Sequence, residues 1–481
     1  VTGSGGVSLN ASGTIDESTN ATTTNITTTG GLTLTSGGAI ADNIDVTGHL
    51  DIDVGTVNVT ATGGTDVSLR DAGTSNTTYT VATGGAGDVS LNQAANNLVV
   101  DTITTTNGAV TLVGAANVFE LGSDTTADIT TTGAVSVTAG TSIGATGAGA
   151  LDIASSTNLT LDSNDDVAVR GSAQTLTDLT LTVDGGTDGA VYELTNLANI
   201  TETITTDNTD LTVTALDATG DANLSLTNDT GNVTVTSFDT TLAGTLSVTA
   251  SSGNIILADG ALVTGSGGVS LNASGTIDES VDATTTNITT TGTLSLTGGG
   301  SIGTTGGGTE SLDIAAGTLT ATTSSGGIFL RDPSTLTIGS GNVRTTAGNA
   351  PINLEIVAGD LTLDGDITAH GSGDVDLTLG GAGAAVITSA GTDDIASTSG
   401  AITITADTLT LVTGTISSTG GALILQPNAA SRTIGLGNGA SGNFSLDATE
   451  LGLLSNGFSS ITLGRTNAAL LISTHTPLQI R

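Results

Sequence analysis

The stretch VTGSGGVSLNASGTIDES, residues 1–18, decides the fold because it returns unchanged at residues 263–280. An alignment of residues 1–38 with residues 263–300 gives 33 identities. Self-similarity on this scale is the sequence signature of a repeat architecture, in which each structural unit stacks on its neighbour. The fold is therefore expected to be repetitive along the chain.

A shorter element occurs three times and gives the length of the repeating unit. It starts at Ile26, Ile129 and Ile288, and it reads ITTTGGLTLTSGGAI in the first copy. The starts lie 103 and 159 residues apart, which corresponds to about five and about eight units of roughly twenty residues. Each copy is followed by an LDI segment and then by an arginine, which is Arg70, Arg170 or Arg331.

Within the units, a glycine and a spacer precede an apolar, small polar, apolar triplet. Strict alternation of this kind predicts a strand with one buried face. Valine and threonine favour strands because their branched Cβ fits the pleated surface, while glycine, asparagine and aspartate supply the turns. The pattern is found in GGVSL at Gly5–Leu9, GDVSL at Gly87–Leu91, GAVTL at Gly108–Leu112, GNVTV at Gly231–Val235, GTLSV at Gly244–Val248 and GAITI at Gly400–Ile404.

A parallel β-helix, or β-solenoid, accounts for these strands best. A propeller blade needs about forty residues, and a sandwich does not produce so short a period. The sequence therefore predicts an all-β, elongated rod with coils of roughly twenty residues. Residues 1–262 are expected to form repeat block one and residues 263–481 repeat block two, less regular toward the C-terminus. One helix is expected at Asp447–Gly457, where Asp447 and Glu450 match a capping box.

The composition indicates a soluble chain with a thin core. Its 481 residues include 70 glycines, two tyrosines and five phenylalanines, with no tryptophan, methionine or cysteine. No run approaches the roughly 20 continuous apolar residues of a membrane-spanning helix, so no membrane insertion is expected. The lack of cysteine excludes a disulfide scaffold, a thiolate metal site and a cysteine nucleophile.

The charge balance is strongly acidic. The chain has 46 acidic residues, seven arginines and no lysine, which gives a formal net charge of −39. Such a charge repels the phosphate backbone, so no nucleic-acid partner is expected. The acidic residues are expected to form a solvated coat.

No catalytic, cofactor-binding or metal-binding residue is predicted from the motifs. Asp162, Asn164 and Asp166 have the spacing of oxygen ligands for a hard cation such as calcium. Val167 stands where a calcium loop has glycine, and no glutamate follows at the loop spacing, so an acidic turn is favoured. GNGASG at Gly437–Gly442 matches G-x-G-x-x-G but leads into a strand, which favours a turn between coils over nucleotide binding.

The few basic side chains are expected to be structural. The three histidines, His49, His370 and His475, are isolated in the sequence and are expected at the surface. The recurring Arg70, Arg170 and Arg331 each end a strand, and pairing with local carboxylates such as Asp71 or Asp332 is favoured over ligand binding.

Two segments carry a resemblance to a known family. GGLTLTSGGAIADNIDVTGHLDIDVGTVNVTATGG at Gly30–Gly64 and GALILQPNAASRTIGLGNGASGNFSLDATELGLLSNGFSSITLGR at Gly421–Arg465 resemble filamentous-haemagglutinin-type large exoproteins. The resemblance implies a right-handed parallel β-helix, two-partner secretion across an outer membrane, and adhesion, aggregation or biofilm formation. The family's amino-terminal secretion domain is not recognisable in the chain, which an interior fragment would explain.

The expected function is that of an extracellular structural or adhesive fibre or stalk at the bacterial cell surface. Its expected partners are other copies of itself or neighbouring cell surfaces, without a cofactor. The alternative is a self-polymerising filament or sheath whose subunits stack end to end through β-helix edges. A polysaccharide-active β-helix enzyme is a lesser alternative, since the chain lacks lysine and has few aromatic platforms for sugars.

Overall fold

The computed structural model describes the chain in two compact units. Unit 1 comprises Val1–Gly231 and Ser237–Thr241, and unit 2 comprises Asn232–Thr236 and Leu242–Arg481. Each unit is a stack of parallel strands with the fold of a β-solenoid, and the described residues contain almost no helix, which confirms the predicted all-β solenoid. The described residues are all of 1–481 except 18–22, 42–47, 146, 155–157, 173–177, 184–189, 199–200, 207–209, 220–222, 241–243, 282, 305–310, 389–391, 440–441, 466–471 and 475–481.

The strands of unit 1 are short and follow one another around each coil, with a single 3-10 turn at Gly147–Gly149 among the described residues. Numbered along the chain, they are β1 (Thr2–Gly3), β2 (Val7–Ala11), β3 (Ile26–Thr28), β4 (Leu32–Ser36), β5 (Leu50–Asp53), β6 (Thr56–Ala61), β7 (Val67–Asp71), β8 (Thr77–Thr83), β9 (Val89–Gln93), β10 (Leu98–Thr104), β11 (Val110–Gly114), β12 (Val118–Glu120), β13 (Ile129–Thr130), β14 (Val135–Ala139), β15 (Leu151–Ala154), β16 (Asn158–Ser163), β17 (Val167–Ser172), β18 (Asp178–Val183), β19 (Ala190–Ala198), β20 (Thr201–Thr206), β21 (Asp210–Thr219), β22 (Asn223–Asn228) and β24 (Phe238–Thr240).

Unit 2 continues the numbering and contains the one α-helix of the described residues. Its strands are β23 (Asn232–Val235), β25 (Leu246–Ala250), β26 (Ile255–Leu257), β27 (Leu262–Thr264), β28 (Val269–Ala273), β29 (Ile277–Glu279), β30 (Ile288–Gly298), β31 (Leu312–Thr323), β32 (Ile328–Asp332), β33 (Leu336–Thr345), β34 (Ile352–Ile356), β35 (Leu361–Leu363), β36 (Ile367–Ala369), β37 (Val375–Leu379), β38 (Ala385–Thr388), β39 (Ile395–Ser397), β40 (Ile402–Thr405), β41 (Thr408–Thr410), β42 (Ile416–Ser418), β43 (Ala422–Gln426), β44 (Ile434–Leu436), β45 (Phe444–Leu446), β46 (Ser460–Leu463) and β47 (Ile472–Thr474).

Most strands pair in parallel with a counterpart one coil away. In unit 1, one sheet has nine strands in the order β1-β3-β5-β7-β9-β11-β14-β16-β18. In unit 2, three rows share each coil, as in β34, β35 and β36, which pair with β37, β38 and β39. The glycine-led segments predicted as strands coincide with β2, β9, β11, β23, β25 and β40, which confirms them.

The number of residues in a coil follows from the sequence separation of residues that are hydrogen-bonded between adjacent coils. Arg170 donates to Asp152, which lies 18 residues before it in the chain. The N–H of Asp394 donates to Asp366, which lies 28 residues before it. The predicted coil of roughly twenty residues therefore lies within the observed range, toward its lower end.

Ladders of like apolar residues form the core. In unit 1, Leu69, Leu91, Leu112, Val137 and Leu161 stack one above the other, and none of them is exposed. Across these strands, most residues on either side of the ladder position are small and polar, and most of them face outward. Burying each such apolar side chain contributes roughly 1.5–3 kcal/mol, so the alternation predicted from the sequence is also the main source of stability.

Buried hydroxyls close several turns between coils. The Thr290 Oγ1 donates to the Gly267 carbonyl oxygen one coil away, at 2.7 Å, and accepts the N–H of Gly292 at 3.0 Å. Thr131, Ser397 and Ser418 make the same two kinds of bond in other coils. The glycine that follows such a hydroxyl is required by space, because a Cβ on Gly400 would lie 2.1 Å from the Gly373 carbonyl oxygen.

The predicted helix is confirmed, although it is short and spans Ala448–Gly452. Its N-cap is Asp447, whose side chain accepts the N–H groups of Thr449 and Glu450, while the Glu450 carboxylate accepts the N–H of Asp447. The capping box thus fixes the start of this helix as the sequence indicated. Among the described residues, no helix is long and apolar enough to cross a lipid bilayer.

Candidate functional site

Three ion pairs with buried aspartates recur at equivalent places in the repeats. The aspartate of each LDI segment lies directly opposite an arginine on the next coil. The pairs are Asp51 with Arg70 at 2.8 Å, Asp152 with Arg170 at 3.1 Å and Asp313 with Arg331 at 2.7 Å. The three arginines are therefore paired structurally, as predicted, but with carboxylates of the preceding coil.

The predicted partners Asp71 and Asp332 accept hydrogen bonds from neighbouring residues instead of pairing with the arginines, which corrects that part of the prediction. Asp71 accepts the N–H of Gly73 at 2.6 Å and the hydroxyl of Thr77 at 2.7 Å. Asp332 likewise accepts the N–H of Ser334 at 2.8 Å. Side chains alternate across a strand, so an arginine and the aspartate after it point to opposite faces and cannot pair. Burial raises the pKa of both carboxyls.

A second position recurs just before each ITTT segment. The side-chain oxygen of Asn25 accepts the N–H of Asp51 at 2.9 Å, and that of Asn287 accepts the N–H of Asp313 at 3.0 Å. In the middle copy, Asp128 takes this place and accepts the N–H of Asp152 at 2.8 Å. All three copies thus keep the bond to the backbone, while the middle copy carries one more carboxylate.

The extra carboxylate completes a group formed by Glu120, Asp128 and Asp152, hereafter the acidic cluster. Their exposed fractions are 4%, 5% and 2%, and one carboxylate oxygen from each lies within 4.8 Å of the others. Among the described residues, this is the one group of three or more acidic, histidine or cysteine side chains so arranged. Glu120 ends β12, Asp128 precedes β13 and Asp152 lies in β15, so the stacking of coils brings them together.

The cluster has more negative charge than its surroundings balance. Arg170 contacts Asp152 and also donates to the Asp124 carbonyl oxygen at 3.1 Å. Burial raises the pKa of Asp128 to about 7, and the charges of Glu120 and Asp152 act in the same direction. Burial also raises the pKa of Glu120 and of Asp152, although Arg170 opposes the rise at Asp152.

One oxygen of the cluster is unsatisfied. Glu120 Oε1 is buried and has no hydrogen-bond partner. Buried polar atoms nearly always have a partner, because leaving one unpaired costs about 1–3 kcal/mol. Glu120 also lines an open pocket of about 710 Å³, together with Phe119, Ser123 and Asp166. One member of the cluster thus lies beside an open pocket.

The three residues with the calcium spacing in the sequence lie at the end of β16 and in the segment that follows it. Asp162 lies within β16, and the Asn164 side-chain nitrogen donates to the Gly140 carbonyl oxygen at 2.9 Å. Asp166 lines the pocket beside Glu120.

The remaining predicted positions are structural. His49 is buried, with Nδ1 2.5 Å from the Ser68 hydroxyl, which corrects its expected surface position. His370 is exposed, as expected, and its Nδ1 lies 2.9 Å from the Gly348 carbonyl oxygen. His475 lies outside the described residues. In GNGASG, Gly437 and Gly439 adopt left-handed backbone angles and precede β45, while residues 440–441 lie outside the described residues.

Sequence reasoning missed the acidic cluster, although the repeat alignment contained a signal for it. The segment NITTTG of the first and third copies reads DITTTG in the middle copy, at Asp128. Asp152 lies 24 residues further along the chain, and Glu120 lies on the other side of Asp128, at the end of the preceding strand. Only the coil register shows that these residues meet.

Fold and repeats together define the chain as a β-solenoid repeat protein. Comparison with protein-family models, with curated proteins and with solved structures gives no match. The chain is therefore assigned to a fold and not to a family.

Proposed function

We propose that this chain is an extracellular structural or adhesive fibre or stalk protein of the bacterial cell surface, which acts by display and contact. The observation that carries the proposal is the register of like residues from coil to coil. Because of this register, outward-facing threonine, serine and asparagine side chains recur at the same position in successive coils. Solenoids use such extended regular surfaces for binding.

The charge of the chain is compatible with this role. A formal net charge of −39 keeps a large surface solvated and opposes binding to nucleic acids. The resemblance to filamentous-haemagglutinin-type exoproteins supports the same proposal, including secretion to the cell surface. The absence of an enzymatic activity stays a prediction.

Labelling and adhesion experiments test the proposal together. Antibodies against the folded chain are expected to label intact, unpermeabilised source cells. Beads coated with the chain are expected to adhere to those cells more than beads coated with a globular protein of similar net charge. Label that appears only after permeabilisation, or equal adhesion of both bead types, would contradict the proposal.

The alternative is a self-polymerising filament or sheath whose subunits stack end to end. The strands of adjacent coils pair in parallel through their backbones, and an unpaired coil edge can pair with a further strand, including one from a second copy.

Sedimentation velocity of the full chain over a range of concentrations tests the alternative, which predicts species larger than the monomer that grow with concentration. A wild-type chain that stays monomeric at high concentration would exclude the filament.

A further inference from the structure

The acidic cluster has the donor set of a site for a hard divalent cation. Calcium prefers oxygen ligands, with Ca–O distances of about 2.4 Å, so two ligands on opposite sides of the ion lie up to about 4.8 Å apart. Magnesium usually keeps several waters and is bound by only one or two carboxylates, so a site with three carboxylates favours calcium. One carboxylate oxygen from each of Glu120, Asp128 and Asp152 lies within 4.8 Å of the other two, which is close enough for all three to bind one calcium ion.

Charge and hydrogen bonding also indicate a cation. Three carboxylates and the Arg170 guanidinium leave two negative charges when all are ionised, which one divalent cation balances. Glu120 Oε1, in a side chain that is 4% exposed, has no hydrogen-bond donor. A cation at the cluster would satisfy this oxygen as well as the charge. The pocket bordered by Glu120 supplies a route of entry.

We propose that Glu120, Asp128 and Asp152 bind a calcium ion that joins adjacent coils of unit 1. Asp128 is already oriented by the N–H of Asp152, at 2.8 Å, and Asp152 by Arg170, at 3.1 Å. Two of the three ligands are thus held in place before the ion arrives, which reduces the entropy lost on binding. The remaining ligands of the ion would be water from the pocket.

The chain contains its own control for this proposal. Asn25 and Asn287 hold the position of Asp128 in the other two copies and make the same bond to the backbone. Asp128→Asn therefore gives the middle copy the donor set that folds in the other copies. It removes one carboxylate while keeping the oxygen that accepts from Asp152.

Calcium binding to the full chain, freed of metal with a chelator, is the test. Titration calorimetry and equilibrium dialysis with calcium alone are run at near-physiological salt, so that weak binding to other acidic residues is screened. Wild type is expected to bind one more calcium ion than Asp128→Asn. Glu120→Gln is expected to weaken the same site at least tenfold, and Asp162→Asn is expected to leave it unchanged.

Thermal unfolding gives a second measurement. Saturating calcium is expected to raise the Tm of wild type more than that of Asp128→Asn, because an ion that binds only the folded state stabilises it. Circular dichroism of the metal-free variants shows whether each is folded. Equal calcium stoichiometry in wild type and Asp128→Asn, or loss of the site in Asp162→Asn instead, would overturn the proposal.

Discussion

At the scale of single residues, a few buried charges connect neighbouring coils. Asp313 is the most buried of the three repeated aspartates, with a side chain that is 1% exposed, and Arg331 at 2.7 Å is its cation. Such a pair adds little stability compared with apolar residues of the same volume. Removing one partner, however, leaves an uncompensated charge in a medium of low polarity.

Replacing the cation of this pair is expected to destabilise unit 2. Arg331→Met should lower the free energy of unfolding by roughly 3 kcal/mol, because Asp313 is left buried without its partner. The double variant Arg331→Met with Asp313→Asn should recover most of the loss, since no charge is then buried. Urea unfolding at neutral pH measures both. A double variant no more stable than the single variant would contradict this explanation.

A second residue-scale prediction concerns pH and Asp376. Burial raises the pKa of this carboxyl, and the charge of Asp374 acts in the same direction. The folded chain therefore holds this proton more tightly than the unfolded chain. The resulting stabilisation is complete below the unfolded pKa and is lost as the pH rises through the folded pKa. Asp376→Asn has no carboxyl to ionise at this position. Its free energy of unfolding, relative to that of wild type, should therefore increase between about pH 4 and neutrality.

The register supplies a control for the Asp376 prediction. Asn353 lies directly opposite Asp376 on the preceding coil. Asn353→Asp should destabilise the chain at neutral pH by roughly 0.2–1 kcal/mol, because like charges then face each other. Urea unfolding over this pH range tests both variants. The same pH dependence in wild type and Asp376→Asn would contradict the assignment.

At the scale of structural elements, the turns depend on the buried hydroxyls as much as the strands depend on their apolar rows. Thr290 is 2% exposed and serves two backbone groups at once. A valine in its place keeps the shape but leaves the Gly267 carbonyl oxygen and the Gly292 N–H without this partner. Buried polar groups without a hydrogen-bond partner destabilise the folded state.

Thr290→Val is therefore expected to reduce the free energy of unfolding by roughly 1–3 kcal/mol. Thr290→Ser should remain close to wild type, since serine makes these bonds at Ser397 and Ser418. Thr289→Val, at an exposed position of the same strand, is the matched control. Chemical unfolding compares the three variants, and equal stability of the two valine variants would show that the hydroxyl is unimportant.

The elements also show how far the sequence predicts the molecule. Alternation located strands such as β40, and the Asp447 capping box located the helix, because both signals are local. Pairing between coils is not local. Bonds between adjacent coils span 18 residues at Arg170 and 28 residues at Asp394, so a mean coil length does not give the register. The Asp313 partner of Arg331 and the acidic cluster were therefore not predicted.

At the scale of the whole molecule, charge opposes the contacts that the proposed function requires. A formal net charge of −39 with seven arginines makes any two copies repel each other. The range of this repulsion is set by salt, because the Debye length falls from about 30 Å at 0.01 M to about 3 Å at 1 M. Backbone pairing at a coil edge acts only at contact and is little affected by salt.

Self-association is therefore expected to increase with ionic strength. Sedimentation velocity of the full chain, in the presence of a chelator, should show mostly monomer at about 0.01 M sodium chloride and larger species at about 0.5 M. The chelator excludes bridging by divalent cations, so that only screening is varied. Association that weakens with added salt would instead indicate attraction between unlike charges, and backbone pairing at coil edges would then not explain contact between copies.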